Sequence, residues 1–396
     1  MKDGFFDKFH IGTYCLQPNA RDESHVRELS ECGIDLLFGV NNDKGLLDLL
    51  GKHGVGAVVN GVVPGWFGGN GKNAGTMASV NPIERYLAPL ATFNDHPAIV
   101  GIDIGDEPSA LDLPHCALIA KSLGERLHDK LLYLNVYPSY GMLASAGEEQ
   151  ARRELGTESY TDYLRAYLDT VPLPYLSIDH YPYSSSLECL LSDLCVAATL
   201  CREYEKPLML VLQVNSHVEG EYLTLEQLRL EARCSLAYGA RVISWACYSR
   251  GWWHSNVLDT DGKKTEQYEK LKRVNSELRA IAEDYDRCTY QRTHRLSAGD
   301  SITTPLGSIS TSAPLLVGEF ITSDGSPALL LAPLGGGEKT SIGSPYNIIN
   351  EGNVTLECSE YTRLSVRTPS VKAVVNGEKS VLGLKNEPIL LFPDPS

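Results

Sequence analysis

The stretch IVGIDIGDEPSAL, residues Ile99 to Leu111, joins an apolar strand to a pair of carboxylates. Apolar and small residues lead into Asp103, Ile104 and Gly105 follow, and the run then ends in the adjacent carboxylates Asp106 and Glu107. Pro108 prevents the strand from continuing. A strand that ends in acidic side chains is typical of a parallel barrel or sheet whose carboxyl edge carries chemistry. The remainder of the chain decides between these two architectures.

Short apolar runs alternate with longer segments of helical period over residues 9–285, which indicates repeated βα units. The helical segments carry recognisable start signals, because Thr224 and Gln227 have the spacing of a capping box. The candidate strands number eight, and they are FHIGTYC, IDLLFGV, VGAVVNGVV, IVGIDIG, LLYLNVY, YLSIDHY, LMLVLQV and RVISWACY.

Eight parallel strands with a helix after each predict a (β/α)8 TIM barrel over residues 1–287. An open doubly wound sheet is the alternative, but it would normally show a glycine-rich phosphate turn after the first strand, and TYCLQPNARD offers none. After the charged helix TEQYEKLKRVNSELRAIAEDYD the composition shifts to Thr, Ser, Gly and Val. We therefore predict a second, all-β sandwich domain over residues 288–396.

The composition excludes several classes of partner. The 396 residues carry a net charge of −15 without a basic cluster, so nucleic acid would be repelled. No apolar run approaches the length of a membrane span, and MKDGFFDKFHIG lacks the apolar core of a secretion signal. We expect a cytoplasmic protein that binds neither nucleic acid nor membrane. The ten cysteines include no C-x-x-C pair, and most read as small buried thiols.

In a barrel of this kind the side chains at the carboxyl ends of the strands converge on one cavity, so these ends are candidate functional positions. Almost all of them are polar here, which a purely structural rim would not need. They are Tyr14, Asn60, Glu107, Asn135, Asp179, Gln213 and Tyr248.

Strand alternation sorts the carboxylates, because residues two apart share a face. The fourth strand then directs Glu107 into the barrel mouth and Asp106 outward, unless the kink at Pro108 redirects Asp106. The same alternation in YLSIDHYPY directs Asp179 toward Glu107 across the cavity. Asp179 could equally cap a helix or bind backbone.

Two carboxylates that flank a pocket are the minimum equipment for cleaving an acetal. One of them, with its pKa raised, protonates the leaving oxygen, while the other stays ionised and attacks the sugar or activates water. We assign Glu107 as the general acid and Asp179 as the base or nucleophile.

The ending GDEPS of the fourth strand resembles the Asn/Asp-Glu-Pro signature of the large clan of (β/α)8 glycoside hydrolases. The segments SIDHYPY, SWACYSRGWW and LLVGEFITSDGSPALLLAP are also similar to that clan, whose barrels are followed by an accessory sandwich. The resemblance implies that Glu107 is the acid/base of a glycosidase that degrades oligo- or polysaccharides.

One position departs from the clan, which places a nucleophilic Glu at the end of the seventh strand, where this chain has Gln213. An amide is not a useful nucleophile. Three explanations are open: Asp179 acts as base or nucleophile, the Asp106–Glu107 pair works with an N-acetyl group of the substrate, or the site binds sugar without cleaving it. Glu219 or Glu221, after the seventh strand, could also supply a carboxylate. The alternative function is therefore a non-catalytic, degenerate carbohydrate-binding barrel.

Aromatic and amide side chains near the strand ends suit a carbohydrate ligand, because sugar faces stack on rings and hydroxyls bind polar groups. We expect no cofactor and no metal: no candidate strand ends in a Schiff-base lysine, and His180 lies on the face opposite Asp179. The candidate substrate-binding residues are Asp106, Asn60, Asn135, Tyr181, Gln213, Tyr248, Trp66, Trp245 and Trp252.

Overall fold

A computed structural model describes residues 4–139, 148–335, 352–358 and 360–394. Its N-terminal part contains eight parallel strands, each where the sequence predicts one. They are β1 His10–Tyr14, β2 Leu36–Asn41, β3 Gly56–Asn60, β4 Ile99–Asp106, β5 Leu131–Asn135, β6 Leu176–His180, β7 Leu208–Gln213 and β8 Ala240–Ala246. They pair in the order β5-β4-β3-β2-β1-β8-β7-β6, so β1 pairs with both β2 and β8.

The two ends of this sheet meet between β5 and β6, which closes the barrel. The Val136 N–H donates to the Ser177 carbonyl at 2.9 Å. The side chain of Tyr175, just before β6, also binds the backbone of β5. Its hydroxyl accepts the Leu134 N–H at 2.9 Å and donates to the Leu132 carbonyl at 2.6 Å. The predicted TIM barrel is confirmed, and the carboxyl ends of its strands form one rim.

Helices cover the outside of the barrel. The predicted capping box is present, with the Thr224 hydroxyl accepting the Gln227 N–H and the Gln227 side chain accepting the Thr224 N–H. In the described ranges no helix is both long and apolar enough to cross a membrane. The helices are α1 Glu23–Glu31, α2 Lys44–Lys52, α3 Met77–Val80, α4 Ile83–Leu87, α5 Leu113–Gly124, α6 Glu148–Leu155, α7 Tyr160–Thr170, α8 Leu187–Glu203, α9 Leu225–Ala237 and α10 Glu266–Asp286.

Two antiparallel sheets follow α10, as expected for a sandwich. Their strands are β9 Cys288–Leu296, β10 Ser301–Thr304, β11 Gly307–Thr311, β12 Leu315–Thr322, β13 Pro327–Pro333, β14 Gly352–Glu357, β15 Arg363–Arg367, β16 Lys372–Asn376, β17 Ser380–Leu384 and β18 Ile389–Pro393. One sheet has four strands in the order β10-β11-β14-β17 and the other has six in the order β16-β15-β18-β13-β12-β9.

The six-stranded sheet is covered on both faces, which explains the uninterrupted apolar run ALLLAP in β13. Leu329 and Leu331 belong to the core between the two sheets, whereas Leu330 belongs to the core shared with the barrel. The buried Arg233 of α9 ties the two parts together, because its Nε donates to the Pro333 carbonyl at 2.5 Å. The β-region therefore packs directly against the barrel helices.

Candidate active site

An irregularity in β4 determines which acidic residues enter the barrel. Gly105 has φ +155°, and the pairing with β5 shifts between Asp103 and Gly105. As a result Asp103 lies opposite Tyr133 and Asp106 lies opposite Asn135, although three positions separate the two aspartates. Both aspartates face the barrel interior. The expectation from alternation that Asp106 turns outward is therefore wrong, because alternation assumes a regular strand.

Glu107 reaches the same site through its backbone conformation. It has φ +48°, a left-handed conformation that is uncommon for residues other than glycine, and Pro108 follows it. Its N–H donates to the Asn135 carbonyl at 2.9 Å, which extends the pairing of β4 with β5 by one residue. Its carboxyl group makes a side-chain hydrogen bond with Asp179. Two adjacent residues thus present their carboxyl groups to one site.

Asp179, at the end of β6, is held in place by an amide. The Asn135 Nδ2 donates to the Asp179 Oδ1 at 2.7 Å, and the Ser177 hydroxyl donates to the Asn135 Oδ1 at 2.8 Å. Asn135 also hydrogen-bonds with the carboxylate of Asp106. Asp179 itself is only 4% exposed. Asn135 therefore links Asp106 and Asp179, and its orientation is fixed by Ser177.

The site raises the pKa of each of its carboxyl groups. Burial raises the pKa of Asp106 to about 6, and burial together with the charge of Asp106 raises the pKa of Asp179 to about 7. Glu107 is affected most: burial and the charges of Asp179 and Asp106 raise its pKa well above the usual value. Glu107 is therefore the carboxyl group of this cluster that holds its proton most strongly, whereas Asp106 and Asp179 lose their protons closer to neutral pH.

Two further acidic residues lie near this cluster, and the sequence analysis did not select them. Burial and the charge of Asp106 raise the pKa of Asp103 to about 7. Glu154, on α6, is almost fully buried, and burial raises its pKa to about 7. Its charge contributes to the high pKa of Glu107. Alternation does direct Asp103 inward, but no sequence signal marks Glu154, which lies in a predominantly charged helical segment.

The segment after β3 supports Asp106 and Glu107 from one side. The Asp106 N–H donates to the Trp66 carbonyl at 2.9 Å, and the Gly68 N–H donates to the Asp106 carbonyl at 3.0 Å. Trp66 is buried, next to Gly105, so it acts as a support rather than as an open platform. The following residue, Phe67, is 47% exposed. The exposed ring in this loop is therefore Phe67, which the sequence analysis overlooked.

Aromatic rings line the opposite side of the rim. The rings of Tyr181 and Trp253 pack edge to face with centroids 4.8 Å apart, and the ring of Trp252 lies 6.3 Å from that of Tyr181 and 6.0 Å from that of Tyr14. Trp252 is 40% exposed. The structure thus brings the predicted residues Tyr181 and Trp252 together, with an accessible indole at the rim.

Two predicted aromatic residues lie outside this rim. Trp245 is fully buried, and its Nε1 donates to the Oδ1 of Asn275 on α10 at 2.9 Å. Tyr248 is also fully buried. Burial raises the pKa of its hydroxyl, and the nearby Cys32 and Tyr268 of the helical layer raise it further. Both were selected for their position near the end of β8, but their side chains pack toward the outer helices. Neither is brought to the carboxylates.

The polar residues from β3 and β7 differ in their availability. Gln213 is fully buried, and its amide binds loop backbone: Oε1 accepts the Tyr183 N–H at 3.0 Å, and Nε2 donates to the Asn215 carbonyl at 3.1 Å. The expected role of Gln213 in binding sugar hydroxyls is thus not met. Asn60 is half-buried, and within the described ranges its Oδ1 has no hydrogen-bond partner.

The loop after β7 carries the remaining candidate carboxylates, and both lie in solvent. Glu219 and Glu221 are exposed. They are not part of the buried cluster around Glu107.

His180 lies behind the site, as its position next to Asp179 predicts. Its Nδ1 is 2.8 Å from the Asp193 Oδ2 and its Nε2 is 3.0 Å from the Ser185 hydroxyl. Candidate ligand atoms of His180, Cys189 and Asp193 lie within 4.8 Å of one another, close enough to hold a metal ion. The hydrogen bonds of the imidazole ring already give these side chains a structural role in joining β6 to α8.

Comparison with known proteins identifies the same architecture elsewhere. No family model matches the sequence, and no curated protein matches it significantly. Solved structures do match: a glycoside hydrolase, at 10% identity and a TM-score of 0.57, covers 98% of this chain and 93% of its own. A glycoside hydrolase family 5 protein from Bacteroides vulgatus, at 10% identity and a TM-score of 0.54, covers 98% of this chain and 89% of its own. The chain thus has the fold of these glycoside hydrolases, a TIM barrel followed by an all-β region.

Proposed function

We propose that the protein is a glycoside hydrolase acting on an oligo- or polysaccharide, with Glu107 as general acid and Asp179 as base or nucleophile. The observation that carries this proposal is the contact between the carboxyl groups of Glu107 and Asp179, in which Glu107 holds its proton more strongly. A protonated acid beside an ionised carboxylate is the arrangement that acetal cleavage needs. The shared fold with known glycoside hydrolases is consistent with it.

The reaction follows from these two protonation states. Glu107 gives its proton to the glycosidic oxygen, so that the leaving group departs as a neutral alcohol. Asp179 either attacks the anomeric carbon or removes a proton from the water that attacks it. Asn135, which donates to the Asp179 Oδ1, keeps the reacting oxygen oriented while charge changes on the carboxylate.

The spacing of the two groups favours retention of configuration. Inverting enzymes separate their carboxyl groups by about 6.5–9.5 Å so that a water molecule fits between substrate and base, whereas retaining enzymes bring them to about 5–5.5 Å. The hydrogen-bonding contact of Glu107 with Asp179 brings the two carboxyl groups closer together than the gap of an inverting enzyme. We therefore propose Asp179 as the nucleophile.

Substrate recognition would use the exposed rings and the polar groups around the carboxylates. Phe67 and Trp252 project from the loops after β3 and β8, and sugar rings would stack on them. Asp106, Asn135 and Asn60 offer hydrogen-bonding groups to sugar hydroxyls. This arrangement suits a chain of several sugar units.

The direct test is a survey of turnover with aryl glycosides of different sugars and with polysaccharides, measured as released phenol or reducing ends. We expect hydrolysis of at least one substrate by the wild-type protein and strongly reduced hydrolysis of that substrate by Glu107→Gln. Hydrolysis that persists at the wild-type rate in Glu107→Gln would refute the assignment.

A second function, sugar binding without cleavage, is favoured by Gln213, since the clan resemblance assigns a nucleophilic Glu to that position. It predicts saturable binding of an oligosaccharide by calorimetry, with no turnover over the whole substrate survey. Turnover that depends on Glu107 excludes it.

The activity should depend on pH in a bell-shaped manner, with its optimum above the pKa of Asp179 and below that of Glu107. The acid limb should rise as the aspartates lose protons, because the pKa values of Asp106 and Asp179 are about 6 and about 7, and the alkaline limb should fall as Glu107 loses its proton. Measuring kcat/KM against pH checks this. An enzyme with full activity near pH 4, where all these groups are protonated, would contradict the proposed roles.

Gly68 should be essential for placing Glu107. A Cβ at this position would lie 1.8 Å from the Glu107 carbonyl oxygen and 2.4 Å from the Tyr137 hydroxyl, so Gly68→Ala must displace the Glu107 backbone. We expect kcat/KM to fall by about 100-fold, the usual cost of a 1 Å misplacement. Gly65→Ala is the matched control, because a Cβ there meets nothing within 4 Å. Equal activities of the two variants would contradict this role.

A further inference from the structure

Two thiols from opposite ends of the barrel sequence meet at the rim. Cys15 follows β1 and Cys247 follows β8, and each lies two residues beyond the paired positions Thr13 and Trp245. The strands stay together past these positions, because the Tyr248 N–H donates to the Tyr14 carbonyl at 2.9 Å. The side chains of Cys15 and Cys247 are in hydrogen-bonding contact, and both residues are free cysteines.

The surrounding backbone leaves the two sulfur atoms next to each other. A Cβ added at Gly251 would lie 2.1 Å from the Cys247 Sγ and 3.8 Å from the Cys15 Sγ, so the bare backbone of Gly251 covers both thiols. Because both sulfur atoms lie against the same glycine, rotation of the two side chains can bring them toward each other.

The two thiols differ in exposure and in pKa, which suits them to an oxidation in two steps. Cys15 is partly exposed, and its hydrogen bond with Cys247 lowers the pKa of its thiol. Cys247 is buried, and burial raises the pKa of its thiol well above the usual value. Cys15 is thus the more exposed thiol and the one that ionises more readily, and Cys247 is the neighbouring thiol that can react with it afterwards. Buried thiols elsewhere, such as Cys32 and Cys201, have pKa values raised by burial and no such position at the rim.

We propose that Cys15 and Cys247 form a dithiol modification site, at which a hydroperoxide converts the pair to a disulfide. The Cys15 thiolate attacks the peroxide oxygen, which gives a sulfenic acid and releases water or an alcohol. The Cys247 sulfur then attacks the Cys15 sulfur, and the sulfenic hydroxyl leaves as water with the proton of the Cys247 thiol. The two thiols lose two electrons and two protons, and the peroxide bond is reduced.

This modification would reach the aromatic rim of the site. The Cys247 sulfur accepts the backbone N–H of Trp252, and Tyr181 and Trp253 pack in the same apolar cluster as Cys15 and Cys247. Turning the Cys247 sulfur toward Cys15 removes its contact with Trp252. We therefore expect oxidation to loosen the Trp252 backbone and to change the environment of its exposed indole.

The test is peptide mapping without reduction. The reduced protein is treated with hydrogen peroxide in slight excess, the remaining thiols are alkylated after denaturation, and the digest is compared before and after dithiothreitol. We expect a peptide that links Cys15 to Cys247, which dithiothreitol cleaves, and a reversible change in tryptophan fluorescence. Phenylarsine oxide, which bridges two thiols, should protect both residues from oxidation.

Two substitutions test whether the cross-link is specific to Cys15 and Cys247. Cys195→Ser removes a single exposed thiol and should leave the cross-link unchanged, whereas Cys15→Ser should abolish it and leave Cys247 open to alkylation. Cys15→Ala, checked by circular dichroism, replaces Cys15→Ser if that variant does not fold. The proposal is overturned if peroxide leaves Cys15 and Cys247 unlinked in the folded wild-type protein, or if either links to a different cysteine. This test does not depend on glycosidase activity.

Discussion

Glu107→Gln is expected to lower kcat/KM by about 10² to 10⁴-fold, the usual contribution of a general acid. The amide preserves the shape of the side chain and can still contact Asp179, but it has no acidic proton for the leaving oxygen. The loss should be greatest for glycosides with poor leaving groups, because phenols of low pKa depart without protonation. Comparing kcat/KM across aryl leaving groups of increasing pKa measures this dependence.

The pH profile provides the control for this variant. The alkaline limb of the wild-type profile belongs to Glu107 in our assignment, so it should disappear in Glu107→Gln while the acid limb remains. Glu219→Gln, in the exposed loop after β7, should retain wild-type kinetics. An alkaline limb that is unchanged in Glu107→Gln would mean that another group supplies the proton.

Asp179→Asn should lower kcat/KM on the order of 10³-fold, because an amide can neither form the glycosyl intermediate nor act as a base. The neighbouring substitution Asp106→Asn is the comparison that matters. Both aspartates contact Asn135 and both have raised pKa values, but Asp179 is the one in contact with Glu107. We therefore expect a smaller loss for Asp106→Asn.

Azide distinguishes the roles of the two aspartates. A small anion can occupy the space left by a missing carboxylate and attack the anomeric carbon, so azide should restore turnover of activated aryl glycosides by Asp179→Asn and yield a glycosyl azide. Circular dichroism and thermal unfolding establish that each variant is folded. If azide rescues Asp106→Asn and leaves Asp179→Asn inactive, Asp106 is the second catalytic carboxylate.

Much of the fold follows from patterns that are local in the chain. Each of the eight strands is a short apolar run bounded by turn residues, so periodicity and length alone identify it. The capping box at Thr224 and Gln227 is also local. The convergence of the strand ends then follows from the barrel architecture, which is why Glu107 and Asp179 could be paired from the sequence.

The parts of the site that sequence reasoning missed depend on departures from regular geometry or on distant packing. The irregularity at Gly105 reverses the face on which Asp106 lies, and a rule based on alternation cannot anticipate it. The residues around Trp245 do not show which face of β8 its side chain occupies. The hydrogen bond to Asn275, on the last barrel helix, places the indole on the outer face. Glu154 becomes buried through tertiary packing of a charged helix.

The double coverage of the six-stranded sheet has a consequence for how the molecule unfolds. One face of this sheet packs into the hydrophobic core of the barrel, so the β-region is not an independently folded module. Melting the β-region would leave the guanidinium of Arg233 without its carbonyl partner and would open the apolar side of α9 to water. The interface therefore couples the stability of the barrel to that of the β-region, because unfolding of either part destabilises the other. This coupling favours a single cooperative unfolding transition.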